Sequence, residues 1–217
     1  MDQSWTNSTA NFTMRARATP GSAEKPCVWA DSENATLYRW GGDYAGEADT
    51  AALWEFKDPS FFGDQLWSSV LSADDDELKD IVSTKRGASA QCGRKGYWIS
   101  GSGSSHTDPR FESENEIPVP GILTFDLDTL KWSNDSTTPL TSQPGGAILG
   151  ARAACAATRD DTPLVVLLGG EETSARSIED VEYRGMDNIT FWDPESGRWY
   201  SQEARGPSHL TERSFAP

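Results

Sequence analysis

The residues that most often carry chemistry are scarce in this 217-residue chain, which has two histidines, three cysteines and three methionines. A metal centre built on imidazoles could draw only on His106 and His209, and each lies in a loop-like stretch. Basic residues are also short, since 19 Lys and Arg stand against 34 Asp and Glu for a formal charge of −15. Phosphate backbones are bound by basic stripes, and Lys85-Arg86 and Arg94-Lys95 are isolated pairs, so no nucleic acid is expected as a partner. No segment approaches the roughly 18 consecutive apolar residues of a membrane span. The first residues, Met1 to Asn7, have neither the basic start nor the apolar stretch of a signal peptide. No C-x-x-C pair, Gly-Lys-Ser/Thr ending, EF-hand spacing or Gly-x-Ser-x-Gly elbow occurs. The chain is therefore expected to hold no catalytic residue, metal or cofactor of its own.

What it does have is an internal repeat. Trp54-Glu55-Phe56 leads to Trp67, Leu123-Thr124-Phe125 to Trp132, and Ile189-Thr190-Phe191 to Trp199, and these tryptophans are 65 and 67 residues apart. Cys27, Cys92 and Cys155 keep a similar spacing of 65 and 63. Between these markers each unit has an apolar run ending in small residues: Gly41-Gly42 after Leu37-Tyr38-Arg39-Trp40, Gly101-Ser102 after Tyr97-Trp98-Ile99, and Gly169-Gly170 after Leu164 to Leu168. The aromatic segments alternate apolar and polar, a period of two that predicts strands with one buried face. Glycine at a strand end supplies a positive φ or a close backbone approach. Leu164 to Leu168 is a short unbroken apolar run, which predicts a strand covered on both faces. Each unit thus reads as a cysteine strand, a glycine strand, an aromatic strand and a tryptophan strand.

Four short strands per unit, a diglycine after the second, a Phe-Asp-type third strand and a following Trp resemble the kelch repeat. The fullest likeness is Met186 to Pro194 continuing through Gly197-Arg198-Trp199-Tyr200, which is similar to the fungal cell-surface kelch proteins of the galactose oxidase and kelch-like family. The resemblance implies an all-β fold: a partial kelch-type β-propeller of about three four-stranded blades plus the start of a fourth. Expected boundaries are an extended or disordered segment over 1–23, blades over 24–68, 69–136 and 137–206, and an incomplete fourth blade over 207–217. Three blades do not close a ring, so the chain is expected to be a piece of a larger ring or to self-associate through open propeller edges.

Five of the six asparagines open an N-x-Ser/Thr acceptor: Asn7, Asn11, Asn34, Asn134 and Asn188. That excess points to passage through the secretory pathway and a secreted or cell-surface location, with N-glycans at those positions. Three cysteines is an odd count for an oxidising compartment. In the propeller reading they occupy equivalent innermost strands lining a channel, which holds their Cα atoms too far apart for a disulfide and makes them small buried core residues. A bridge between blades is the alternative.

The connections from second to third strand, about Asp43 to Ala52, Ser104 to Pro120 and Glu171 to Asp187, are long, as are those from fourth strand to next first strand, about Ser68 to Gly87 and Asn134 to Gly150. In a four-stranded meander both sets emerge on one side. Long loops on a rigid scaffold carry recognition, so Tyr44, His106, Arg110, Arg176, Tyr183 and Arg184 are the binding candidates, Tyr and Arg because they dominate interface energetics. The expected function is a non-catalytic kelch-repeat module recognising a protein or a glycan. The alternatives are an incomplete piece of a secreted copper-radical oxidase, whose metal ligands this chain lacks, and a cytoplasmic kelch scaffold whose acceptor asparagines go unused.

Overall fold

Strands of this chain pair only antiparallel with their neighbours in the computed structural model, which describes residues 23–44, 51–57, 67–72, 75–135, 141, 145–158, 160, 162–175 and 177–205. Twelve strands form three four-stranded sheets. Sheet I comprises Cys27–Asp31, Thr36–Trp40, Ala51–Lys57 and Trp67–Ser72. Sheet II comprises Ala88–Cys92, Lys95–Ile99, Ile122–Asp126 and Lys131–Asn134. Sheet III comprises Arg152–Ala157, Pro163–Leu168, Asn188–Asp193 and Arg198–Glu203. In each, spatial order follows chain order, so the cysteine, glycine, aromatic and tryptophan strands lie side by side in that sequence. Among the described residues the only helical turn is a 3-10 turn at Asp76–Leu78, and the chain is all-β.

Alternation decides which face each strand buries. In the first strand of sheet I, Cys27, Trp29 and Asp31 are buried while Val28 and Ala30 are exposed. Trp29, Tyr38, Trp40 and Leu53 pack from sheet I onto Trp98, Phe125, Leu127 and Trp132 of sheet II. Trp29 stacks on Phe125 at 5.5 Å between ring centroids, and Trp40 lies 4.3 Å from Trp132. The other face of sheet II carries Ala88, Ala90, Tyr97, Ile99 and Ile122 onto Val165, Leu167 and Trp192 of sheet III. Sheet II is therefore covered on both sides, which is why Tyr97, Trp98 and Ile99 are all buried in succession.

Sheet III departs from the expectation for Leu164 to Leu168. Val165 and Leu167 are buried, but Leu164, Val166 and Leu168 are only half-buried. The strand is covered on one face, because no described sheet packs on the side that presents Val166, Phe191 and Tyr200. At the other end of the stack, Val28 and Leu37 of sheet I are 51% and 39% exposed. The three sheets form an open stack with an apolar face at each end.

The glycine pairs do what the sequence asks of them, with one shift of register. Gly41 and Gly42 take φ of 69° and 108°, and Gly169 and Gly170 take 60° and 92°. In sheet II the equivalent pair is Ser100-Gly101, at 59° and 133°, rather than Gly101-Ser102. Ser100 accepts the left-handed conformation because its hydroxyl is built into the core, where its Oγ accepts the Ile148 amide at 2.7 Å. At Gly41 a Cβ would lie 2.6 Å from the Thr84 carbonyl oxygen, so this glycine is needed for backbone approach as well.

The cysteines overturn the expectation of three separated thiols. Cys92 and Cys155 form a disulfide with Cα atoms 5.3 Å apart, and Cys27 alone remains a free, buried thiol. The three do not occupy equivalent positions: Cys27 opens its strand, Cys92 closes its strand, and Cys155 is fourth of six. Cys92 projects from sheet II towards sheet III, Cys155 shares the Val165–Trp192–Trp199 row that faces sheet II, and the two meet. Shifting a cysteine by one position along a strand turns it to the opposite face, which spacing near 65 residues does not reveal.

Candidate binding face

The long connections open on one side of the stack, and their described residues include short paired strands. Asp43–Tyr44 pairs with Ala23–Glu24, Ser102–Gly103 with Ile117–Pro118, and Glu171–Thr173 with both Ile148–Leu149 and Val181–Tyr183. Backbone groups that water would otherwise have to satisfy are paired within the loops. Side-chain charges then tie the three loop clusters together. The Lys85 ammonium bonds to Asp43 and lies 2.7 Å from Glu116, while Arg86 lies 3.9 Å from Glu116 and 2.8 Å from Glu171. This is a chain of alternating charge, Asp43–Lys85–Glu116–Arg86–Glu171, running from the loop of sheet I to that of sheet III. Burial disfavours the charged Lys85, but its bonds to Asp43 and Glu116 outweigh that and raise its pKa. Burial likewise opposes the Glu116 carboxylate, and Lys85 with the Ser102 hydroxyl at 2.8 Å holds its pKa below the ordinary glutamate value.

Against that frame the six candidates separate. The Tyr44 side chain is buried, with Arg39 5.8 Å from its ring centroid, and its amide donates to the His106 carbonyl at 3.0 Å. The His106 imidazole is 38% exposed and stands 4.0 Å from both Asp43 and Glu114, so Tyr44, His106 and Asp43 share one corner of the face. Arg110 is a clamp on the fold. Its guanidinium donates to the buried Asp108 carboxylate and to the carbonyls of Leu78 at 2.7 Å and Ile81 at 2.5 Å. Arg184 donates to Glu172 at 2.5 Å and to the Thr190 hydroxyl at 2.7 Å, which fastens the sheet III loop to its third strand. Tyr183 is 57% exposed. Arg176 lies outside the described residues. His106 and Tyr183 are thus the candidates that present open side chains, one from the loop of sheet II and one from that of sheet III.

Sequence reasoning passed over Lys85, Arg86, Glu116 and Glu171. The signal was the Lys85-Arg86 pair itself, an uncommon concentration of positive charge in a chain of −15 placed two residues before an inner strand. At the inner margin of the same face a cavity of about 480 Å³ opens where the first strands of all three sheets begin, lined by Lys25, Arg86, Ser89, Trp98 and Arg152 among others. Among the described residues no group of three or more His, Cys, Asp or Glu side chains is placed to hold a metal ion. His209 lies outside those residues.

The opposite side is built of tight turns closed by aspartates. Asp126 accepts the amides of Asp128 and Thr129, and Asp193 those of Glu195 and Ser196. Asp31, whose side chain is fully buried, takes Arg94 at 2.5 Å and the Asn34 amide group at 2.7 Å. The hydrogen bond from Arg94 holds its carboxyl well below the usual carboxylate range. Because the folded-state value is depressed, this contribution is fully present above the ordinary aspartate pKa and drains away as pH falls through the folded value. Thermal melts should therefore show a steeper loss of Tm below about pH 4 for the parent protein than for Asp31→Asn. Equal slopes would show that the pair is not coupled to folding.

Among the acceptor asparagines, Asn134 and Asn188 are exposed, at the loop-side ends of their strands. Asn34 is also exposed, but it sits on the opposite, tight-turn side with its amide nitrogen committed to Asp31. Asn7 and Asn11 lie outside the described residues. No protein-family model matches the chain, and no curated protein matches its sequence.

Proposed function

We propose that the chain is part of a kelch-type β-propeller and serves as a non-catalytic recognition module of a secreted or cell-surface glycoprotein, binding a protein or a glycan through the loop face. The observation that carries this reading is the threefold recurrence of one unit: four antiparallel strands in chain order, positive-φ pairs after the second, successive units packed face to face. The long connections that carry Asp43, Lys85, Arg86, Glu116 and Glu171 are cross-braced by the charge chain those residues form. A rigid scaffold that spends ion pairs on ordering its loops is suited to recognition, where preorganisation saves the ordering cost on binding. The disulfide between sheets II and III favours an oxidising compartment, and the exposed Asn134 and Asn188 favour glycosylation. The exposed end faces around Val28 and Tyr200 are the surfaces through which such units would associate with further blades or with a second copy.

Protein secreted from a eukaryotic host should lose mass on treatment with an N-glycosidase, and the loss should shrink when Asn134 and Asn188 are replaced by Gln. On arrays of glycans and extracellular proteins, ligands captured by the parent should be lost by His106→Ala with Tyr183→Ala. They should be kept by Lys131→Ala, which lies at the opposite end of sheet II. Binding that survives the loop-face pair would overturn recognition through that face, and an unchanged mass would overturn the secretory assignment.

A further inference from the structure

We infer that the cavity of about 480 Å³ at the inner margin of the loop face is a binding site for a small oxyanion, either a carboxylate-bearing sugar or a phosphate group. The inference deepens the recognition-module reading by naming a ligand chemistry, and it rests on the cavity itself. Its lining inverts the charge of the molecule. The whole chain has 34 acidic against 19 basic residues, yet the wall contains Lys25, Arg86 and Arg152 against the single carboxylate of Glu171.

The repeat supplies these cations one per sheet. Lys25 lies two residues before the first strand of sheet I, Arg86 two residues before that of sheet II, and Arg152 opens that of sheet III. All three residues line the one cavity where the inner strands begin. They are not equally committed. Arg86 is held by Glu171 at 2.8 Å, which fixes one guanidinium as part of the wall. The side chains of Lys25 and Arg152 are exposed and make no ion pair or hydrogen bond with the described residues.

In a protein with so many carboxylates, two cations with no side-chain partner among the described residues, beside a fixed third, form a local positive field at short range. The wall also leaves room for a ligand to approach the backbone. Gly150, at φ 66°, would project a Cβ into open space. The Trp98 edge provides an apolar side, and the Ser89 side chain adds a hydroxyl to the lining. Planar oxyanions match a guanidinium fork and a neighbouring ammonium.

Isothermal titration of the full chain at low salt with D-glucuronate, inorganic phosphate and neutral glucose tests the site. Saturable one-site binding is expected for at least one of the two anions and none for glucose. A preference for glucuronate assigns the sugar carboxylate, and a preference for phosphate assigns the phosphate group. Arg152→Gln and Lys25→Gln should each weaken binding by about tenfold or more, while Lys131→Gln leaves it unchanged. Circular dichroism of each variant separates loss of charge from loss of fold. The His106→Ala and Tyr183→Ala pair should retain anion binding, so a failure of the array experiment and a failure here are distinct results. No saturable binding of either anion at millimolar concentration overturns the inference, as does binding that both Gln substitutions at the cavity leave intact.

Discussion

Cys155→Ser is expected to lower the stability of the protein by about 4 kcal/mol relative to the disulfide-bonded chain. The bridge spans a sequence separation of 63 residues, and closing a loop of that length in the unfolded ensemble removes roughly that much chain entropy. The folded state loses little else, because Cys155 is exposed and a hydroxyl there meets water. Cys92→Ser should cost more, since its side chain is buried between sheets II and III and the hydroxyl would need a partner. Urea titration of each variant against the parent gives the difference directly, and a shift under about 1 kcal/mol would show that the bridge removes little entropy from the unfolded chain. Cys27 provides an internal control. Burial pushes its thiol pKa up, so it should resist alkylation in the native protein and react on unfolding.

Trp29→Ala is expected to cost about 3–5 kcal/mol, the range for removing a large fully buried aromatic. Its indole is 1% exposed, stacks on Phe125, meets Trp132 edge-on at 5.7 Å and donates through Nε1 to the Ala90 carbonyl at 3.1 Å. It thus joins the first strand of sheet I to both inner and outer strands of sheet II. Gly96 completes the socket, because a Cβ there would lie 2.5 Å from the Trp29 ring. Gly96→Ala alone should cost about 1–3 kcal/mol by overpacking. In the Trp29→Ala background the same change should cost far less, since the clashing ring is gone. A double-mutant cycle in urea measures that coupling, and additive penalties would show that the two residues do not share a socket.

How much of this was legible without coordinates varies with the range of the interaction. The aromatic strand Leu123-Thr124-Phe125 and its partner at Trp132 are neighbours in the chain, and their period of two and intervening turn are local facts that survive into the structure. The glycine pairs were legible for the same reason, since a positive φ is a property of one residue and its neighbours. Even there, Ser100-Gly101 slipped by one position, because a buried serine hydroxyl bonded to Ile148 can stand where glycine usually does. Arg110 looked like a loop residue open to a ligand. What makes it structural is a set of carbonyls about 30 residues earlier in the chain, at Leu78 and Ile81, which no spacing announces. The strand at Leu164 to Leu168 misled in the other direction, since an apolar run reports what could be buried and not whether a sheet is present to bury it.

The sequence by itself determined the strands, their order within each unit and the side on which the long connections emerge, because these follow from backbone periodicity, turn chemistry and near-neighbour pairing. Only the tertiary structure decided which faces meet, and so the Cys92–Cys155 bridge, the Trp29 socket, the charge chain from Asp43 to Glu171 and the cavity shared by Lys25, Arg86 and Arg152. Each of these joins residues from different units. Whether two such residues touch depends on strand register and sheet stacking, where a shift of one residue turns a side chain from one face to the other.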